Sequence, residues 1–148
     1  MQKRSIENSR ADLSLATKTV PELKLIAWEI TRSCNLACKH CRAEAHPEPY
    51  PGELSTQEAK GLIDQFKQTG NPIIIFTGGE PLLRQDVFEL SAYAHNQGLR
   101  CVMAPNGTLI DLQKAQKMRQ TGIERVSISL DGPDAESHNL FRGVQGAF

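Results

Sequence analysis

Three of the chain's four cysteines fall within eight residues: Cys34, Cys38 and Cys41, in the spacing Cys-x3-Cys-x2-Cys. Clustered thiols in a chain without a secretion signal read as metal ligands or redox groups rather than as disulfides. Three thiolates on a short loop can bind three irons of a [4Fe-4S] cubane and leave the fourth iron open to a reactant. The competing chemistry is a zinc site with His40 or His46 as fourth ligand. Structural zinc sites usually pair two separated ligand couples, and the sequence holds no second couple; the preference for the cubane rests less on this spacing than on the rim the loop shares with the segments below. The fourth cysteine, Cys101, stands inside an apolar run and reads as a core residue.

Other segments carry residues suited to a site. Gly78-Gly79-Glu80-Pro81 follows an apolar run. Its two glycines permit close approach of backbone to a ligand, and Glu80 offers a carboxylate for a cationic group; the plainer reading is a strand-to-helix turn. Asn106-Gly107 breaks a third apolar run, and Asn is also a common turn residue. Ser129 and Asp131 close a fourth.

The elements that would position these residues can be read from pattern. Residues 25–30, the apolar run 73–76, and residues 99–104 and 125–130 read as strands. Ser55 with Glu58 three residues on forms a capping box for a first helix that stops at Gly70. Further helices are expected over 86–96 and 111–120, stopped by Gly98 and Gly122, and a fourth begins near the last residues. Alternating strands and helices argue an α/β fold with a parallel sheet. In such folds chemistry gathers at the carboxyl ends of the strands. The cysteine loop, the Gly-Gly-Glu turn, the Asn106 loop and Ser129 all fall at that rim.

The 148 residues suffice for one domain with a core, with 39% hydrophobic and 23% charged residues. Lys plus Arg and Asp plus Glu each number 17. No basic surplus points to nucleic acid or an anionic membrane, and no apolar run approaches the length of a membrane span. Residues 1–22 read as a polar arm, and residues 23–148 as the folded domain. The first ten residues lack the apolar centre of a signal peptide, so a cytoplasmic location is expected.

The cysteine spacing followed by Gly78-Gly79-Glu80-Pro81 resembles the radical S-adenosylmethionine (SAM) superfamily, from about Leu25 to the last residue. The resemblance implies a partial TIM barrel of βα units, here its first four strands, and hence an incomplete domain that turns over no substrate alone. It implies that Cys34, Cys38 and Cys41 hold the cluster and that SAM chelates the open iron. An electron then cleaves SAM to methionine and a 5′-deoxyadenosyl radical that abstracts hydrogen from a substrate. By the same resemblance Gly78, Gly79 and Glu80 meet the methionine part of SAM, His40 lies near the adenine, Ser129 near the ribose or carboxylate, and Asn106 beside the active site. The usual residue at position 40 is aromatic, and histidine departs from that. An electron donor such as flavodoxin or ferredoxin is implied.

Finer stretches, Trp28 to Cys34, Cys41 to Ala45, Met103 to Ile110 and His138 to Val144, look similar to the branch of that superfamily that modifies tetrapyrroles in haem biosynthesis. The implied reaction is oxidative decarboxylation, or a similar change, of an iron-porphyrin. The alternative is a maturase that modifies a peptide.

Overall fold

The computed structural model describes residues 22–148, so the expected arm at 1–22 lies outside it save for its last residue. The chain alternates β1 (Leu25–Thr31), α1 (Thr56–Gln68), β2 (Ile73–Gly78), α2 (Val87–Asn96), β3 (Arg100–Met103), α3 (Leu112–Gln120), β4 (Ile123–Val126) and α4 (Ala135–Arg142). The strands form one parallel sheet in the order β1-β2-β3-β4. Among the described residues no helix is long and apolar enough to cross a membrane.

Local chemistry accounts for the helix ends. The side chain of Ser55 accepts from the Glu58 backbone N–H, and Glu58 reaches back to the Ser55 N–H, so α1 starts on a complete capping box. Asp111 and Asp134 cap α3 and α4 by accepting from Lys114 N–H and Ser137 N–H. Asp86 precedes α2 without capping it, because its carboxylate is held by Arg84 and Thr56.

One face of the sheet is closed and the other open. Ile74 and Phe76 of β2 and Cys101 and Met103 of β3 are fully buried against Ile63 of α1 and Leu90 and Ala94 of α2. The alternate residues face the other way, as the period of two requires. There Ile73, Ile75 and Val102 are half-buried; Val126, in register with Met103, lies on the helix side and is exposed.

The fourth strand departs from the expected 125–130. It begins two residues earlier and ends at Val126, opposite Met103. A strand ends where its partner's ladder ends: β3 stops at Met103, Pro105 has no N–H to continue it, and the last rung is Ser127 N–H to Met103 O at 2.9 Å. Ser129 therefore lies in the exposed loop beyond β4.

Candidate active site: a thiol-lined cavity at the carboxyl rim

The cysteine loop leaves β1 and is fastened on three sides. Backbone bonds Cys34 N–H to His46 O and His46 N–H to Arg32 O close its neck at 2.9 and 3.2 Å. Gly79 N–H to Thr31 O and Glu80 N–H to Ser33 O, both 2.8 Å, zip it to the turn after β2. Ala37 N–H to Arg142 O and Lys39 N–H to Phe141 O, both 3.0 Å, fix its far side to the end of α4. Leu36, Ala147 and the half-buried Val144 pack a small apolar cluster around Cys34 and Cys38.

The two glycines after β2 are required by this fastening. A Cβ on Gly78, where φ is +133°, would stand 2.2 Å from Thr31 O, and one on Gly79 would stand 2.3 Å from Ser33 O. The glycines thus permit close approach to the chain's own backbone, and both also line the cavity at the rim.

Cys34, Cys38, Cys41, His40, Gly78, Gly79 and Asn106 all line one open cavity of ≈ 260 Å³, with Glu29, Thr77 and Arg142 among its other walls. Cys34 is buried, Cys38 half-buried and Cys41 exposed. Burial pushes the Cys34 thiol up, with the charges of Glu80 and Cys38 adding to it and the Leu36 N–H opposing it. His40 stacks on Phe141, ring centroids 4.5 Å apart and planes 16° apart, so one face of its ring is taken. Asn106 bridges the loops: its Nδ2 donates to Asn35 Oδ1 at 2.8 Å and lies 3.9 Å from Cys34 Sγ, while its Oδ1 accepts from Thr108.

Two expected site residues stand elsewhere. Glu80 has no exposed surface and does not line the cavity. Its Oε1 accepts from Leu82 N–H at 2.9 Å and its Oε2 from Asn106 N–H at 2.6 Å, so the carboxylate ties the turn after β2 to the loop after β3. Burial raises its pKa, against the pull of those two N–H groups. Ser129 is exposed and contributes its carbonyl, which accepts from Arg142 Nη2 at 2.8 Å. Arg142 itself was not singled out from sequence. Its nearness to residues 37–38 depends on α4 folding back, and no local pattern signals that. Cys101 is core, as read: burial pushes its thiol up to about 12.

The family model described as the radical SAM superfamily matches residues 28–147. The chain belongs to that superfamily. It is 71% identical over 128 residues to the AdoMet-dependent heme synthase of Nitratidesulfovibrio vulgaris, covering 86% of this chain and 35% of that protein. It is 38% identical to the mycofactocin maturase of Mycobacterium tuberculosis, over 83% of this chain and 31% of that protein. The chain thus spans about a third of the length of the curated relatives it matches. Among solved structures, the Streptococcus suis protein SuiB bound to its precursor peptide superposes with a TM-score of 0.68 at 20% identity, over 83% of this chain and 27% of that one. That likeness shows the fold.

A radical SAM protein implies a [4Fe-4S] cluster and SAM, and the rim fits them. Among the described residues, no three His, Cys, Asp or Glu side chains converge on one point as a single-ion site requires. A cubane makes a different demand, because each thiolate binds its own iron. Three thiols that line one cavity are the donor set it calls for.

Proposed function

We propose that this chain carries the cluster and SAM sites of a radical SAM enzyme acting on a tetrapyrrole in haem biosynthesis. The observation that supports the reading most is the placement of Cys34, Cys38 and Cys41 on one cavity whose other walls include Gly78 and Gly79. When bound, the cluster and SAM supply one-electron chemistry that removes hydrogen from an unactivated carbon. The chain's own residues bind and orient. The three thiolates hold the cluster. Backbone groups of Gly78 and Gly79 meet the methionine part of SAM, and Glu80 keeps that turn in register with Asn106. His40, braced by Phe141, offers its free face to the adenine, and Ser129, outside the cavity, holds Arg142 through its carbonyl. The exposed Cys41 leaves the cluster reachable by a small electron donor such as flavodoxin or ferredoxin.

The substrate reading, an iron-porphyrin that loses carboxylate, rests on the 71% identity to a heme synthase. The 38% identity to a mycofactocin maturase supports the alternative, a peptide substrate, less strongly. Anaerobic reconstitution should give about four irons per chain and SAM cleavage under reductant. Replacing Cys34, Cys38 or Cys41 by Ala should remove the cluster. The full-length protein should then release carbon dioxide from iron-coproporphyrin. Iron and sulfide retained by the triple variant would refute the cluster assignment, and inertness toward iron-coproporphyrin with turnover of a peptide would refute the substrate.

A further inference from the structure

Arg142 is the last residue of α4, and its side chain is 9% exposed. Its Nη1 lies 3.6 Å from Cys38 Sγ, 104 positions away in sequence. Its Nη2 donates to Ser129 O at 2.8 Å and pairs with Asp131 Oδ2 at 2.6 Å. Its Nε is buried and finds no acceptor among the described residues. The carbonyl of the same residue accepts from Ala37 N–H. One residue therefore grips the cysteine loop through both its backbone and its guanidinium.

We propose that Arg142 is a positioning residue that seats Cys38 and, through its guanidinium–sulfur contact, raises the reduction potential of the cluster bound by this loop, with Asp131 opposing it. The inference rests on the cluster reading above. Charge decides the sign. Reduction adds a negative charge to the cluster, so a cation against one of its sulfur ligands favours the reduced form. Hydrogen bonds to cluster sulfurs and nearby charge are established levers on such potentials. Asp131 pairs with Nη2 while Nη1 meets Cys38 Sγ, so the charge in direct contact with the sulfur is the cation, and it dominates. The pairing with Asp131 and Ser129 fixes the side chain's direction. Among the described residues the buried Nε–H has no acceptor, which is unusual, because buried N–H groups are rarely left unpaired.

The test is an EPR-monitored redox titration of the anaerobically reconstituted protein, in the parent and in Arg142→Gln, Arg142→Lys and Asp131→Asn. Arg142→Gln removes the cation and should move the midpoint to more negative potential. Asp131→Asn removes the opposing charge and should move it to more positive potential. Arg142→Lys keeps the charge and should stay nearer the parent than Arg142→Gln does. A residue that only shapes the loop would shift both charge variants the same way or change only cluster loading, and either pattern overturns the proposal. Where Arg142→Gln takes up no iron, loading of Arg142→Lys together with the positive shift of Asp131→Asn upholds it, and failure of either overturns it. A parent without a cluster overturns both this inference and the reading beneath it. A loaded parent whose variants keep its potential overturns this inference alone.

Discussion

The backbone N–H of Asn106 lies 2.6 Å from Oε2 of Glu80, a carboxylate with no exposed surface. This bond joins the carboxyl ends of β2 and β3, and it makes Glu80 a brace for the site. Glu80→Ala strands two N–H groups, Leu82 and Asn106, at about 1–3 kcal/mol each where they stay dry. The pH dependence has a definite sign. A carboxyl whose folded pKa is raised stabilises the fold most below its unfolded pKa and loses that contribution as pH rises through the folded value. Burial raises Glu80 in this way. Urea unfolding of the iron-free protein should show the parent's advantage over Glu80→Gln shrinking as pH rises from about 4 toward neutrality. A constant difference would contradict the raised pKa.

Gly79 and Gly61 make opposite predictions from one substitution. A Cβ on Gly79 would meet Ser33 O at 2.3 Å and Arg32 O at 2.8 Å, all rigid backbone. Gly79→Ala must push the turn after β2 off the cysteine loop, and iron uptake should fall sharply. Gly61 lies within α1 with nothing within 4 Å of an added Cβ. Gly61→Ala should leave iron uptake alone and stabilise the protein by about 0.5–1 kcal/mol, the ordinary gain in a helix interior. Iron analysis beside thermal unfolding reads both. Equal uptake by the two variants would show that the turn and loop are not closely joined.

Cys101 should be chemically silent. It is fully buried and its thiol is pushed up to about 12, so almost none is thiolate at neutral pH. In the iron-free native protein, iodoacetamide should modify the exposed Cys41 and leave Cys101 untouched until denaturant is added. Peptide mapping by mass spectrometry distinguishes the sites. Cys101→Ala should keep the parent's iron content while losing stability from the cavity it leaves. Rapid native labelling of Cys101 would contradict its place in the core.

Much of the fold was legible because the deciding signals are local. The apolar run Ile73 to Phe76 can only be a buried strand once it is too short for a helix, and Ser55 with Glu58 marks α1 within four residues. The end of β4 was not legible, since it is set by where β3 stops. The cysteines could be read from spacing, but the direction of Glu80 could not. A carboxylate after two glycines looks the same in sequence whether it faces a ligand or a neighbouring loop. Arg142 was missed for the same reason: its contact with Cys38 joins residues 104 apart and appears only when α4 docks on the loop.

Arg84 and Asp86 hold the other side of the rim, and their pairing predicts how the protein responds to acid. Arg84 is buried, with Nη1 on Ile30 O at 2.7 Å, Nη2 on Leu54 O at 2.8 Å and Nε on Asp86 Oδ1 at 2.6 Å. It thereby ties the end of β1 to the segment before α1 and the start of α2. Burial pushes the Asp86 carboxyl up, but bonds from Arg84 and Thr56 and the Arg84 charge outweigh it and hold the group below its ordinary range. A depressed carboxyl gives stability that is present above its unfolded pKa and lost as pH falls through the folded value. Part of the acid unfolding of the iron-free protein should therefore belong to Asp86. In Asp86→Asn the fall in urea midpoint between about pH 5 and about pH 3 should be shallower than in the parent, with lower stability at neutral pH. Arg84→Ala leaves Asp86 partly buried without its cation and should cost about 3–5 kcal/mol. An acid limb in Asp86→Asn as steep as the parent's would place the titrating groups elsewhere.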